Sequence, residues 1–118
     1  ITDRDRALTT RRFGELAGEV YELSSSEAME ALGKEFRTPG HIPLCRESPG
    51  GLSKRQGHTE LAVAIARLSG NIPCTIGAEM LDPDGDGALS LQEARKYAEE
   101  HGIPMITGND IMESMDMV

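Results

Sequence analysis

The middle of this chain is interrupted so often by proline and glycine that no long helix or strand can pass through it. Between residues 36 and 57 these residues are Pro39, Gly40, Pro43, Pro49, Gly50, Gly51 and Gly57. Proline removes a backbone donor and glycine is conformationally permissive, so the segment is predicted to be a long loop. Loops of this length in compact domains are usually functional. The regular elements must lie before and after it.

Three helices are predicted around this loop. The pairs Thr2–Asp5 and Ser24–Glu27 have the capping-box spacing, and the two helices that they start extend to about Val20 and to Gly33. After the loop, residues 59–68 are apolar at nearly every position. This pattern predicts a buried helix.

The second half of the chain is predicted to contain two short strands. Cys74–Leu81 and Pro104–Thr107 are apolar and extended in character, and a helix that Ser90 caps runs between them to His101. The methionine-rich tail from Asp110 is predicted to pack as a terminal helix. Alternating helices and strands predict an α/β fold of the α+β type, with a mixed sheet packed against helices in a single domain over residues 1–118.

Composition narrows the class of partner. Twelve Lys and Arg against 20 Asp and Glu give a net charge of −8, which argues against a general nucleic-acid or membrane-surface binder. No apolar run is long enough for a membrane helix, so the protein is predicted to be cytoplasmic. Cys45 and Cys74 lack metal or redox spacing and are predicted to be buried thiols. The hydrophobic fraction of 38% is enough for a modest core.

The segment Asp82–Glu93 matches the ligand spacing of an EF-hand calcium loop. An EF-hand also needs an entering helix, whereas Pro73, Gly77 and the pair Thr75–Ile76 favour a strand before this segment. An ordinary exposed turn followed by a capped helix explains the same residues. A non-catalytic calcium- or phosphate-binding module remains the alternative function.

The residues before the buried helix have the chemistry of an anion site. Arg55-Gln56-Gly57-His58-Thr59-Glu60 places a guanidinium, an accessible glycine backbone, an imidazole and a hydroxyl at a helix N-terminus. The free N–H groups and the helix dipole attract phosphate, and Arg55 can bind two oxygens at once. The spacing alone equally fits a simple helix start with solvated charges.

Two further side chains are candidates for acid–base chemistry. His41 follows Pro39-Gly40, which presents its imidazole from a loop. Glu79 is a carboxylate within the apolar run from Ile76 to Leu81, so we expect it to point into a polar cavity or to be paired. Together with the anion site, these residues favour an enzyme that acts on a phosphorylated metabolite.

At these residues the sequence resembles the 3,4-dihydroxy-2-butanone 4-phosphate synthase family of riboflavin biosynthesis. The motifs that carry the resemblance are Asp5-Arg6, Leu8-Thr9-Thr10, Arg37-Thr38-Pro39-Gly40-His41, Pro43-Leu44, Gly50-Gly51-Leu52, Arg55 to Glu60, Leu68-Ser69-Gly70, Glu79 and Ile106-Thr107. They cover almost the whole chain. The resemblance implies a lyase that converts ribulose 5-phosphate to dihydroxybutanone phosphate and formate.

The resemblance also implies roles for individual residues. Those that contact the sugar phosphate are Arg55, Gln56, Gly57, His58 and Thr59, and His58 also binds the metal, Mg²⁺ or Mn²⁺. The resemblance further implies that His41 and Glu79 are the essential catalytic residues. We expect them to share the proton transfers, and a homodimer is implied as well.

One part of the family pattern is missing. Members have an additional N-terminal part, roughly as long again, with an acidic loop that supplies another metal ligand. Nothing in this sequence matches that loop, and His58 alone cannot hold Mg²⁺, which demands mainly oxygen ligands. The chain begins at Ile1 without an initiator methionine, and we expect the C-terminal part of a longer enzyme. Dependence on a partner chain and an inactive remnant are the alternatives.

Overall fold

The computed structural model describes residues 1–116 as two compact units. The first comprises Ile1–Ile76 and the second begins at Gly77. Five α-helices form the regular structure of the described residues. None of these helices has the length and apolar character needed to cross a membrane.

The first unit opens with two helices that confirm the predicted capping boxes. Helix α1 is Asp3–Glu19, and Thr2 and Asp5 cap each other's backbone at its start. A 3₁₀ turn, Val20–Glu22, leads to α2, Ser25–Glu35, which Ser24 and Glu27 cap in the same way. Gly33 does not end α2, because the helix continues to Glu35 and Phe36 is the first extended residue after it.

Arg12 and an aromatic pair join α1 to the end of α2. The Arg12 guanidinium donates to Glu35, with Nη2–Oε1 at 2.7 Å, and to Glu19 at 2.7 and 3.0 Å. Phe13 packs edge-on against Phe36 with ring centroids 5.7 Å apart. These contacts hold together the middle of α1 and the end of α2, which are distant in sequence.

The predicted loop is confirmed, with one 3₁₀ turn at Gly51–Ser53. Helix α3, His58–Leu68, follows it. The buried apolar residues of the first unit are Leu16, Leu52, Ala64 and Ala66, so the loop contributes Leu52 to the core. The prediction that α3 is buried on all sides is wrong, because Ile65 and Leu68 are exposed on its other face.

The second unit contains a turn and two helices. Helix α4, Leu91–His101, starts at Ser90, whose Oγ accepts the Glu93 N–H, and it ends at Gly102 in the left-handed conformation with φ +64°. Helix α5, Gly108–Ser114, begins in a capping box of Thr107 and Asp110. Ala98 of α4 and Ile111 of α5 are buried. The predicted terminal helix is therefore present, and residues 117 and 118 lie outside the described part.

The predicted mixed sheet is wrong for the described residues, which form five helices and no strand. Cys74–Leu81 is irregular, with Ile76 and Leu81 largely exposed, and Pro104–Thr107 is irregular as well. An extended segment becomes a strand only when a neighbour pairs with its N–H and C=O groups. Within residues 1–116 the pairing is limited to the single bridge between Leu81 and Ala88. An apolar, β-prone composition was therefore not sufficient to predict a strand in either segment.

The expectation for the cysteines is also wrong in one case. Cys45 is exposed in the loop, and Cys74 is half-buried. Both are free thiols.

Candidate active site

The predicted anion-binding residues lie together at the start of α3. Gly57 is the N-cap, with extended backbone angles and no side-chain hydrogen bond. Arg55, Gln56 and His58 are exposed, and Thr59 is half-buried in the first turn. The backbone N–H groups of a first turn have no partner within the helix and carry the positive end of its dipole. This arrangement can receive an oxyanion.

Glu60 lies directly beneath this segment. It is only 1% exposed and has the largest fully buried side chain among the described residues. Its Oε1 accepts the Ser48 N–H at 2.9 Å, and Arg55 Nη1 lies 3.6 Å from the same oxygen. The hydrogen bond from Ser48 lowers the pKa of Glu60 against the opposing effect of burial. Glu60 is therefore an ionised carboxylate in a protected position.

The ion pair with Glu60 leaves most of Arg55 accessible. The Arg55 side chain remains 62% exposed, whereas that of Glu60 is 0% exposed. One side of the guanidinium faces the protein carboxylate, and its other N–H groups remain available to a ligand. Guanidinium groups bind phosphate and carboxylate through two parallel hydrogen bonds.

Gly57 allows these groups to approach closely. A Cβ at this position would lie 2.8 Å from Glu60 Oε2 and 3.1 Å from Arg55 Cζ, so both side chains would have to shift to accommodate it. Gly57 has φ −87°, so its requirement is one of space rather than of backbone conformation. The glycine predicted as a substrate contact also has a packing role.

A second ion pair fastens the loop to α3 farther along the helix. Arg67 Nη1 donates to Glu47 Oε2 at 3.0 Å, and Arg67 Nη2 contacts the other oxygen. This pairing lowers the pKa of Glu47. Adjacent loop residues, Glu47 and Ser48, are thus attached to opposite ends of the same helix.

His41 lies in the loop of the first unit and is exposed. The preceding Thr38–Pro39 peptide bond is cis. A Cβ at Gly40 would lie 3.4 Å from the Arg37 carbonyl oxygen, so the backbone around this motif is compact. The predicted presentation of His41 from a loop is confirmed.

Glu79 belongs to the second unit and is exposed. The expectation that it occupies a buried strand is wrong, because residues 77–80 form no strand and the apolar neighbours Ile76 and Met80 are themselves exposed. Its catalytic role stays a prediction.

The described residues do not by themselves form a metal site. Within residues 1–116 no group of three or more His, Cys, Asp or Glu side chains is arranged to hold a metal ion. Mg²⁺ prefers six oxygen ligands, and the predicted ligand His58 offers one nitrogen. The residues present therefore do not fit a complete Mg²⁺ or Mn²⁺ centre.

The EF-hand-like segment forms the predicted exposed turn. Asp82 N–H donates to the Gly87 carbonyl at 2.9 Å, and Leu89 N–H donates to that of Met80 at 2.8 Å. The Asp82 carboxylate accepts the Asp84 N–H at 2.9 Å, as in an Asx turn. No helix enters this segment, because α3 ends at Leu68 and the residues between are irregular. The calcium-module alternative gains no support.

Sequence reasoning missed the roles of Glu60 and Ser48. Glu60 stood in the motif without an assigned function, although an acidic residue in the first turn of an otherwise apolar helix was a usable signal. Ser48 acts through its backbone N–H, which no side-chain pattern could indicate.

Comparison with known proteins agrees with the motif. The family model described as 3,4-dihydroxy-2-butanone 4-phosphate synthase matches residues 1–114. Proteins of that name from Methanosarcina mazei and Archaeoglobus fulgidus are 44% and 45% identical over 97% and 96% of this chain. A Mycobacterium marinum protein named riboflavin biosynthesis protein RibBA is 32% identical over 96% of the chain.

These alignments cover only part of each relative. They span 44% of the Methanosarcina mazei protein, 46% of the Archaeoglobus fulgidus protein and 24% of the Mycobacterium marinum protein. The chain thus spans less than half the length of these relatives. Since the family model matches nearly every residue of the chain, this chain belongs to the 3,4-dihydroxy-2-butanone 4-phosphate synthase family.

Proposed function

We propose that this chain carries the phosphate-binding and proton-transfer residues of a lyase that converts D-ribulose 5-phosphate to 3,4-dihydroxy-2-butanone 4-phosphate and formate in riboflavin biosynthesis. The observation that supports this most is the start of α3. There the exposed Arg55 forms an ion pair with the buried Glu60 and lies beside a first turn that has no side-chain N-cap hydrogen bond. Family membership supports this choice of substrate.

In this proposal the sugar phosphate binds at the start of α3. Arg55 donates two hydrogen bonds to phosphate oxygens, and the backbone N–H groups of His58 and Thr59 donate to the phosphate at the helix N-terminus. The Thr59 hydroxyl and the Gln56 amide add donors, and Gly57 leaves the backbone accessible. Together these groups fix the phosphorylated end of the substrate.

We assign the proton transfers to His41 and Glu79. The reaction requires a base that removes the proton at C3 and an acid that assists dehydration, and an imidazole and a carboxylate are suited to both tasks. Each of His41→Ala and Glu79→Gln is expected to lower kcat about a hundredfold or more. An inactive His41→Ala enzyme beside a fully active Glu79→Gln enzyme would exclude the shared role.

The proposal includes Mg²⁺ or Mn²⁺ with His58 as one ligand. Such an ion supplies Lewis-acid chemistry at a carbonyl. Because residues 1–116 do not assemble a complete site, its remaining ligands would have to come from other groups, and no step above is derived through it. Binding of Mn²⁺ measured on the chain and on its His58→Ala variant tests the ligand directly.

The decisive test is formate release from ribulose 5-phosphate with Mg²⁺. It should be measured for this chain and for the product of its complete reading frame, with His58→Ala as the control. Activity that the control lacks would establish the lyase. Absence of formate from both proteins would refute the proposed function.

We also propose a cytoplasmic homodimer. The support for both is the resemblance to this family of biosynthetic enzymes. Light scattering of the purified protein tests the oligomeric state, and a monomer at enzyme-assay concentration would exclude the dimer.

A further inference from the structure

Glu60 is buried as a carboxylate, which is costly unless specific partners compensate it. Its Oε1 accepts the Ser48 N–H and lies 3.6 Å from the Arg55 guanidinium. Its Oε2 is also buried and has no hydrogen-bond partner. That oxygen lies against Gly57, where a Cβ would come within 2.8 Å. Stability of the fold alone does not explain a buried charge with one oxygen left unpaired.

The carboxylate joins three points of the chain. Ser48 lies in the long loop, Arg55 lies just before the helix, and Glu60 itself is in the first turn of α3. Holding them together fixes the path of the backbone from Ser48 to Gly57. One side of the Arg55 guanidinium lies 3.6 Å from the same carboxylate, while 62% of the side chain stays exposed.

We propose that Glu60 is a positioning residue for anion binding: it orients Arg55 so that the guanidinium addresses the same phosphate group as the first turn of α3. The inference rests on the proposed function, since the anion is taken to be the phosphate of the substrate. Glu60 does not touch that phosphate and acts through Arg55.

The direction in which one substitution changes phosphate affinity distinguishes this role from simple electrostatic repulsion. Glu60→Gln preserves size and the acceptor oxygen but removes a negative charge beside the anion site. If Glu60 were only a nearby charge, its neutralisation would strengthen phosphate binding, because like charges repel. If Glu60 positions Arg55, its neutralisation weakens phosphate binding. The two roles therefore predict opposite changes.

Glu47→Gln is the matched control. Glu47 also fastens the loop to α3 through an arginine, but its partner Arg67 lies at the far end of the helix. A loss of affinity that reflected only a loosened loop would appear in both variants.

The test is a titration of the wild-type protein and both variants with inorganic phosphate, followed by the amide resonances of His58 and Thr59. We expect roughly a tenfold weaker Kd for Glu60→Gln, in line with loss of an oriented charge-assisted contact, and less than about a twofold change for Glu47→Gln. In an Arg55→Gln background, Glu60→Gln should have no further effect. Equal or tighter binding by Glu60→Gln, or equal losses in both variants, would overturn the proposal.

Kinetics and dynamics give independent readouts. In the active enzyme Glu60→Gln should raise KM and change kcat little, whereas loss of His41 lowers kcat. If the variant does not fold, the wild-type protein still decides: the Arg55 Nε–H resonance should report an ordered side chain without phosphate, and a freely mobile one would overturn the proposal. Weaker phosphate binding by Glu60→Gln, together with no formate release by the wild type, would place the failure in the proposed function and still support the positioning role.

Discussion

Gly57→Ala tests how tightly the start of α3 is packed. The added Cβ would come within 2.8 Å of Glu60 Oε2 and 3.1 Å of Arg55 Cζ, whereas ordinary contacts begin at 3.4 Å. Glu60 cannot retreat easily, because its buried carboxylate accepts the Ser48 N–H. The backbone angles of Gly57 suit any residue, so no backbone strain adds to the crowding.

Two contributions set the size of the effect. Alanine is a poorer N-cap than glycine, which costs about 1 kcal/mol, and forcing an extra methyl into a filled space costs about 1 to 3 kcal/mol. We therefore expect Gly57→Ala to lower the free energy of unfolding by about 2 to 4 kcal/mol.

The assay is urea unfolding followed by far-UV circular dichroism, together with hydrogen exchange of the Ser48 amide. Gly14→Ala is the control, because a Cβ there meets nothing within 4 Å in the middle of α1. It should raise stability by about 0.5 to 1 kcal/mol. Ser48 exchange should accelerate only in Gly57→Ala, since displacement of Glu60 breaks that hydrogen bond.

Gly57→Ser distinguishes crowding from capping. Serine has the same Cβ but is a favourable N-cap, so crowding predicts a loss of stability and capping alone predicts a gain. The reasoning is refuted if Gly57→Ala costs no more than about 1 kcal/mol, the capping share, with Ser48 exchange unchanged.

Three further outcomes are expected. Hydrogen bonds from Arg12 lower the pKa values of Glu19 and Glu35 below their ordinary 4.5. The stability that these pairs contribute is therefore present above that pH and is lost as the pH falls through the folded-state pKa values. The urea midpoints measured at about pH 7 and at about pH 3 should differ less in Arg12→Met than in the wild type. Thr107→Ala removes the Oγ1 acceptor of the Asp110 N–H and should destabilise α5 by about 1 kcal/mol, seen as faster amide exchange in α5 but not in α4. Gly102→Ala places a Cβ at φ +64° and should cost about 1 to 2 kcal/mol in the second unit, while Gly33→Ala, in open space within α2, should not destabilise the chain.

Local signals were sufficient to predict the helices. Capping pairs such as Thr2–Asp5 and Ser24–Glu27 are hydrogen bonds between near neighbours, and the structure forms both. The long loop followed from proline and glycine chemistry in the same way. These features depend on residues only a few positions apart.

The prediction of a sheet failed because a strand forms only when a second segment pairs with it. Cys74–Leu81 has β-prone composition, yet hydrogen-bonded pairing is a property of two segments and cannot be read from one. Pro104 lacks an N–H, and Thr107 directs its side chain to capping α5 instead. The predicted burial of Glu79 was wrong for the same reason, since it depended on the strand.

The candidate site was predicted in part. The segment Arg55–Thr59 lies together at a helix start, as its spacing indicated. The burial of Glu60 was not predicted, because a charged residue in an amphipathic helix is normally solvated. Its burial depends on a hydrogen bond from the backbone of Ser48, and no sequence periodicity describes the path of the loop that contains Ser48.

The turn after Leu81 offers a place to lengthen the chain. Backbone hydrogen bonds from Asp82 to Gly87 and from Leu89 to Met80 close its base, and residues 83–88 at its tip are exposed. Doubling a closed flexible loop costs only about 0.6 kcal/mol, so a short epitope or a fluorophore-binding peptide inserted between Gly85 and Asp86 should leave the helices on either side intact. The protein thus contains a built-in attachment point for labels, separated in sequence from the anion-binding start of α3.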